Sequence, residues 1–173
     1  MRLLFEIDRK DYDPDGEAFV RPSARGIIFR DGKIAVIYSK KTKYCKFPGG
    51  GIEPGEDKVV ALMREVKEEV GLTVKPETVK EFGYVHRIQK GRHEAVFIQD
   101  NYYYTCEVED GQGDTEMTAS EKAEEFVPMF MPIEEAININ ASYEHVDELH
   151  DVMVERELRV LQIIAGQMKG EQA

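Results

Sequence analysis

The chain has 173 residues, which at about 150 residues per domain predicts one domain with room for a sizeable core. Apolar residues make up 42% and charged residues 33%, and no run approaches the roughly 18 consecutive apolar residues of a membrane span, so a membrane partner is not expected. Lys and Arg number 23 against 34 Asp and Glu, a net charge of -11, which counts against a broad surface for long nucleic acid, where affinity comes from neutralising phosphates.

Leu3 to Ile7 reads as a short strand, ended by the turn formers of Asp11-Tyr12-Asp13-Pro14-Asp15-Gly16. The apolar runs Gly26–Phe29 and Ile34–Ile37 flank Asp31-Gly32, a dipeptide suited to the positive φ angles of a tight hairpin. Residues 40–56, with four glycines and two prolines among charges, read as a loop. A helix follows over about residues 57–70. Val59, Met63, Val66 and Val70 give its apolar stripe, and Gly71 stands where a left-handed cap is wanted. Thr78 to Gln89 and Glu94 to Val108, rich in aromatic and β-branched residues, form a second hairpin across Lys90-Gly91-Arg92. Glu109 to Ser120 lacks an apolar pattern and reads as a mobile loop, Phe126 to Met131 as a strand, and Pro132 to Ile139 as a short helix. A long helix from about His145 to Met168 aligns Val146, Leu149, Met153, Val160, Leu161 and Ile164.

This order of elements points to a mixed α/β sandwich with helices on both sides of the sheet, and not to a doubly wound parallel fold. Residues 1–20 read as an N-terminal extension, 21–133 as the core and 134–173 as C-terminal helices. Cys45 and Cys106 fit a reducing compartment as buried free thiols, and Met1–Asp8 is too short and too acidic for a signal peptide. A cytoplasmic location is expected.

The negative charge is not spread evenly. At about 100° per residue, Glu65, Glu68 and Glu69 share a sector of roughly 100° on the helix, with Ala61 on the same side leaving room. Like charges at this spacing cost a few tenths of a kcal/mol per pair, which a solvated face tolerates and a metal site exploits. Oxygen donors without His or Cys suit a hard cation, Mg²⁺ or Mn²⁺. Phe47-Pro48-Gly49-Gly50-Gly51 leads into the helix, and its glycines let backbone carbonyls approach a cation or ligand.

Gly50, Glu56, Arg64, Glu65, Val66, Glu68, Glu69, Gly71 and Leu72 together resemble the Nudix box, matching each specified position of that motif. The resemblance implies a Nudix-type α/β/α sandwich of the MutT-like kind. It implies hydrolysis of a nucleoside diphosphate linked to another group, with Mg²⁺ as cofactor and Mn²⁺ as a substitute. A nucleoside triphosphate, cut to monophosphate and pyrophosphate, is the first expectation. An ADP-sugar or ADP-ribose is the alternative, and a non-catalytic nucleotide sensor the rival of another class.

Carried over by position, Glu65, Glu68 and Glu69 hold metal with the carbonyl of Gly49 or Gly50, and Glu65 activates water. Arg64 and Glu56 pair to orient the helix. Glu125, with Glu124 next, matches a further glutamate placed just before the last strand in MutT-like members. Arg25, Lys40, Lys46 and Arg87 are the candidate phosphate binders. Among Tyr84, Tyr102, Tyr103 and Tyr104, strand alternation puts about half in the core and leaves the others to stack on a base. His86, His93, His145 and His150 show no ligand spacing. The first strand and the last helix exceed a minimal Nudix core, and a homodimer through one of them is expected.

Overall fold

The computed structural model describes residues 1–170. Its strands are β1 (Leu3–Asp8), β2 (Ala18–Val20), β3 (Ser23–Ile27), β4 (Phe29–Arg30), β5 (Lys33–Ser39), β6 (Cys45–Lys46), β7 (Gly49–Gly51), β8 (Lys80–Gln89), β9 (Val96–Thr105) and β10 (Phe126–Met131). The helices are α1 (Lys58–Val70), α2 (Ala119–Ala123), α3 (Ile133–Ala141) and α4 (Glu148–Gly170).

The larger sheet runs β1-β8-β9-β3-β7 with β2 also paired to β9, and the smaller runs β10-β5-β4 with β6 on β5. Parallel pairs (β1 with β8, β3 with β9) and antiparallel pairs (β8 with β9, β3 with β7) share one sheet, so it is mixed as expected. Period-2 alternation divides the core into two layers. Ala24, Ile28, Ala35, Ile37 and Tyr104 pack with Ala61, Leu62, Val66 and Val70 of α1. Ile27, Ile34, Val36, Val85 and Tyr103 pack on the opposite side with Ile133 and Ala136 of α3 and Val160, Leu161 and Ile164 of α4. Helices therefore cover both sides, the sandwich the sequence implied.

Local chemistry sets the element ends. Asp31 and Gly32 turn the β4–β5 hairpin with φ of 51° and 72°. Asp57 caps α1 by accepting the Val59 and Val60 N–H groups at 2.8 and 3.2 Å, and Gly71, at φ 67°, closes it with its N–H on the Lys67 carbonyl.

Four expectations need correction. The stretch read as a loop before α1 contains β6 and β7, because the Gly49–Gly51 backbone pairs with Ser23–Arg25 without needing side chains that would show a pattern. Residues 109–120 are pinned to the end of α1: the Gly113 and Glu116 N–H groups donate to the Gly71 and Glu68 carbonyls, each at 2.7 Å. Ala61 is fully buried and Glu69 nearly so, since α1 packs against both β3 and β7 and its buried sector is wider than the stripe suggested. Val146 lies ahead of α4 and Leu149 in its first turn, and both are exposed; Asp147 accepts the His150 N–H at 2.9 Å, starting the helix after it, and burial begins at Val152. Both cysteines are free and buried. Among the described residues no helix is long and apolar enough to cross a membrane.

Candidate active site

β7 lies beside β3, and α1 packs against both. This brings Glu65, Glu68 and Glu69 together with Gly50, Arg25 and Lys46 around one cavity of about 420 Å³. The same cavity takes in Arg21, Gln99, Glu116 and Glu121, none of which the sequence reading singled out.

Each carboxylate has a different setting. Glu69 is buried; it accepts from Lys46 Nζ and from the Gly49 N–H, both at 2.7 Å. Burial pushes its carboxyl up to about 7 against the pull of Lys46 and Arg25, and a hydrogen bond with Glu121 adds to the rise. Glu121 moves the other way: burial would raise it, but hydrogen bonds from Glu69 and Thr118, with Lys46 nearby, hold it below the usual range. Lys46 is 3.8 Å from Glu121, so one ammonium serves two carboxyl groups. Glu65 accepts from Arg64 Nη1 at 2.8 Å and lies against the Gly50 backbone, where a Cβ would stand only 2.2 Å from its Oε2. Glu68 is the most exposed of the three on α1.

Arg64 binds Glu56 through two N–H groups, each at 2.9 Å, and donates to the Gly51 carbonyl at 3.0 Å, tying the loop to the helix. The Arg64 hydrogen bond, with a second from the Glu53 N–H, holds the Glu56 carboxyl down at about 2. Arg25 donates to the Phe47 and Gly49 carbonyls at 3.1 and 2.6 Å, while its buried Nε has no partner among the described residues.

Four predicted residues lie elsewhere. Glu125 is an exposed turn residue with φ 53°, and it is Glu121, one turn earlier in α2, that reaches the cavity. Glu124 binds Ser39, Thr42 and Lys41 instead. Lys40 is exposed past the end of β5. Arg87 is buried on the α4 side of the sheet, hydrogen-bonded to Gln89 and stacked over Phe97. Tyr103 and Tyr104 are core residues, and Tyr84 and Tyr102 are half-buried. A signal for Glu121 was present: Thr118-Ala119-Ser120-Glu121 is a capping box, with reciprocal Thr118–Glu121 hydrogen bonds at 2.8 and 3.3 Å.

Among the described residues no three His, Cys, Asp or Glu side chains converge closely enough to hold a metal ion. Arg64 and Lys46 hold the ends of Glu65 and Glu69. The donor set nevertheless fits a hard divalent cation, being carboxylate and carbonyl oxygen throughout and short of positive charge at the Glu69–Glu121 pair.

A family model described as the NUDIX domain matches residues 20–152, most of the chain. The chain belongs to the NUDIX domain family. This Nudix chain is 27% identical over 99 residues to the Bacillus subtilis (strain 168) protein named "Putative ADP-ribose pyrophosphatase YjhB", covering 55% of the chain and 45% of the relative. It is 40% identical over 53 residues to the 8-oxo-dGTP diphosphatase of Buchnera aphidicola subsp. Schizaphis graminum (strain Sg), covering 28% of the chain and 41% of the relative. The matched stretch thus spans less than half the length of each of these curated relatives. The crystal structure of the MutT NUDIX hydrolase from Burkholderia pseudomallei superposes with a TM-score of 0.52 at 18% identity, over 79% of this chain and 97% of that one. At that identity the likeness concerns the fold alone.

Proposed function

We propose that this Nudix protein hydrolyses the diphosphate linkage of a nucleoside diphosphate joined to another group, with a nucleoside triphosphate cut to the monophosphate and pyrophosphate. The observation that carries the reading is the pairing, in one cavity, of an acidic wall (Glu65, Glu68, Glu69, Glu121) with Arg25 and Lys46. An acidic wall alone would repel a polyphosphate, and a basic one alone would bind it without chemistry.

Glu65, Glu68 and Glu69 with the Gly50 carbonyl are the groups that would hold Mg²⁺ or Mn²⁺. Such an ion, when bound, offsets phosphate charge and lowers the pKa of bound water. The protein's own groups then have distinct tasks. Arg25, with an unpartnered buried Nε, and Lys46 hold phosphate oxygens. Water adds to phosphorus as the bridging P–O bond breaks; Glu65 takes the proton, and the bridging oxygen departs with pyrophosphate. Arg64 and Glu56 keep the loop and helix in register. Glu121 supplies the carboxylate that the sequence reading assigned to Glu125.

The test is phosphate or pyrophosphate release from nucleoside triphosphates, ADP-ribose and an ADP-sugar with Mg²⁺, repeated with Glu68→Gln and Glu69→Gln. Both variants should lose turnover by on the order of 100-fold. Mg²⁺ binding without turnover of any substrate would replace the enzyme reading with a nucleotide sensor. Absence of Mg²⁺ binding would remove the metal assignment.

A further inference from the structure

Beside the acidic cavity lies a wider cleft of about 720 Å³, the size of a small-ligand site. Arg21, Gly51 and Glu65 line both, so the two adjoin at these residues. Its chemistry changes at that junction. On the acidic side stand the carboxylates, Arg25 and Lys46; on the far side Val20, Ile52 and Tyr102 stand beside the Arg64–Glu56 ion pair.

Val20 is 61% exposed on β2 opposite Ile98, which puts it on the same face of the sheet as Tyr102. Tyr102 is half-buried with its ring 5.8 Å from that of Tyr84, and the Lys58 ammonium sits 3.6 Å from the Tyr102 ring centroid. Lys58 is the first residue of α1, where the helix dipole disfavours a cation, so the ring is its main support there. At an exposed site that contact is weak enough for a planar ligand to replace. Arg21 is exposed, and its guanidinium lies over Gly51: a Cβ on Gly51 would stand 3.3 Å from its Nε and Nη2. Among the described residues it has no carboxylate at ion-pair distance, which leaves its planar fork free for a phosphate.

We propose that this cleft binds the aromatic base of the substrate against Tyr102, Val20 and Ile52, and that Arg21 holds the phosphate chain where it crosses Gly51 into the acidic cavity. The inference rests on the hydrolase reading for the position of the phosphates. It adds which part of the substrate is read, and by which residues. Stacking on Tyr102 is tolerant of base identity, and the flanking apolar residues exclude water from the ring faces.

Isothermal titration tests it with two probes: α,β-methylene nucleoside triphosphates, and imidodiphosphate, which carries the charge and no base. Tyr102→Leu and the surface variant Val20→Ser, each checked for folding by circular dichroism, should weaken nucleotide binding about tenfold and imidodiphosphate binding less than twofold. Arg21→Ala should weaken both. Equal losses for the two probes in the Tyr102 and Val20 variants, or no loss, overturn the subsite, as does failure of the wild type to bind the nucleotides. Turnover assays run alongside separate the two claims. Nucleotide hydrolysis without this binding pattern removes the base subsite and leaves the hydrolase; the binding pattern without hydrolysis does the reverse.

Discussion

Gly50 has no side chain where Glu65 needs space, and any Cβ there would meet the carboxylate at 2.2 Å. Gly50→Ala should therefore displace Glu65 while leaving the core intact. Turnover should fall on the order of 100-fold with the thermal midpoint little changed, since a shift of about 1 Å in a reacting group has that effect. Glu56 permits a second prediction, on pH. Its folded-state pKa, about 2, lies below its ordinary value of 4.5 because of Arg64, so its contribution to stability is full above pH 4.5 and is lost as pH falls toward 2. The thermal midpoint of Glu56→Gln should fall below the wild type at pH 7, and the gap should close as pH falls from 4.5 to 2. At this scale the sequence showed the box residues because their spacing is local. Glu121 and Arg21 were hidden because a capping turn and an edge strand carry them to the cavity from distant parts of the chain. Arg87 was misplaced because alternation along a strand does not say which side faces the ligand.

The elements add support that the box does not contain. In α4, Arg156 and Glu157 are fully buried and paired; Arg156 donates to Asn101 at 2.6 Å, and Glu157 accepts the Phe47 N–H at 2.8 Å. The last helix therefore holds the residue that leads into the Gly49–Gly51 strand. Glu157→Ala would strand the Arg156 charge and orphan the Phe47 N–H, so urea unfolding should show a loss of about 3–5 kcal/mol. At the other border of the site, Thr118→Ala removes the α2 cap. It should cost only about 1 kcal/mol in stability, yet lower turnover by releasing Glu121. The helical period of α4 was legible, but the pair at 156–157 was not, because a charged dipeptide in a helix reads as solvated until its partners on β9 are known. Conversely, Val146 looked like part of the stripe and lies ahead of the helix at 51% exposure.

For the molecule as a whole, a mixed sheet and an antiparallel one between α1 and the α3–α4 pair place the acidic face of one helix against basic residues of β3 and β6. That arrangement was legible in outline from the hairpins, the glycine-rich stretch and the two long helices. The sheet order was not, since parallel pairing of β1 with β8 and of β3 with β9 joins residues far apart in sequence. β1 ends the larger sheet with a free edge, and a homodimer through that edge is a proposal for solution measurement. Light scattering after size exclusion should report a dimer, and a monomer at high concentration would end that expectation. The net charge of -11 also takes on a different meaning, because the glutamates at the cavity are the groups that a bound cation would neutralise. The most direct measurement is ³¹P NMR of the products formed from a nucleoside triphosphate and Mg²⁺. The account predicts nucleoside monophosphate and pyrophosphate, both lost on chelation of the metal; unchanged substrate, or a nucleoside diphosphate with inorganic phosphate, would contradict it.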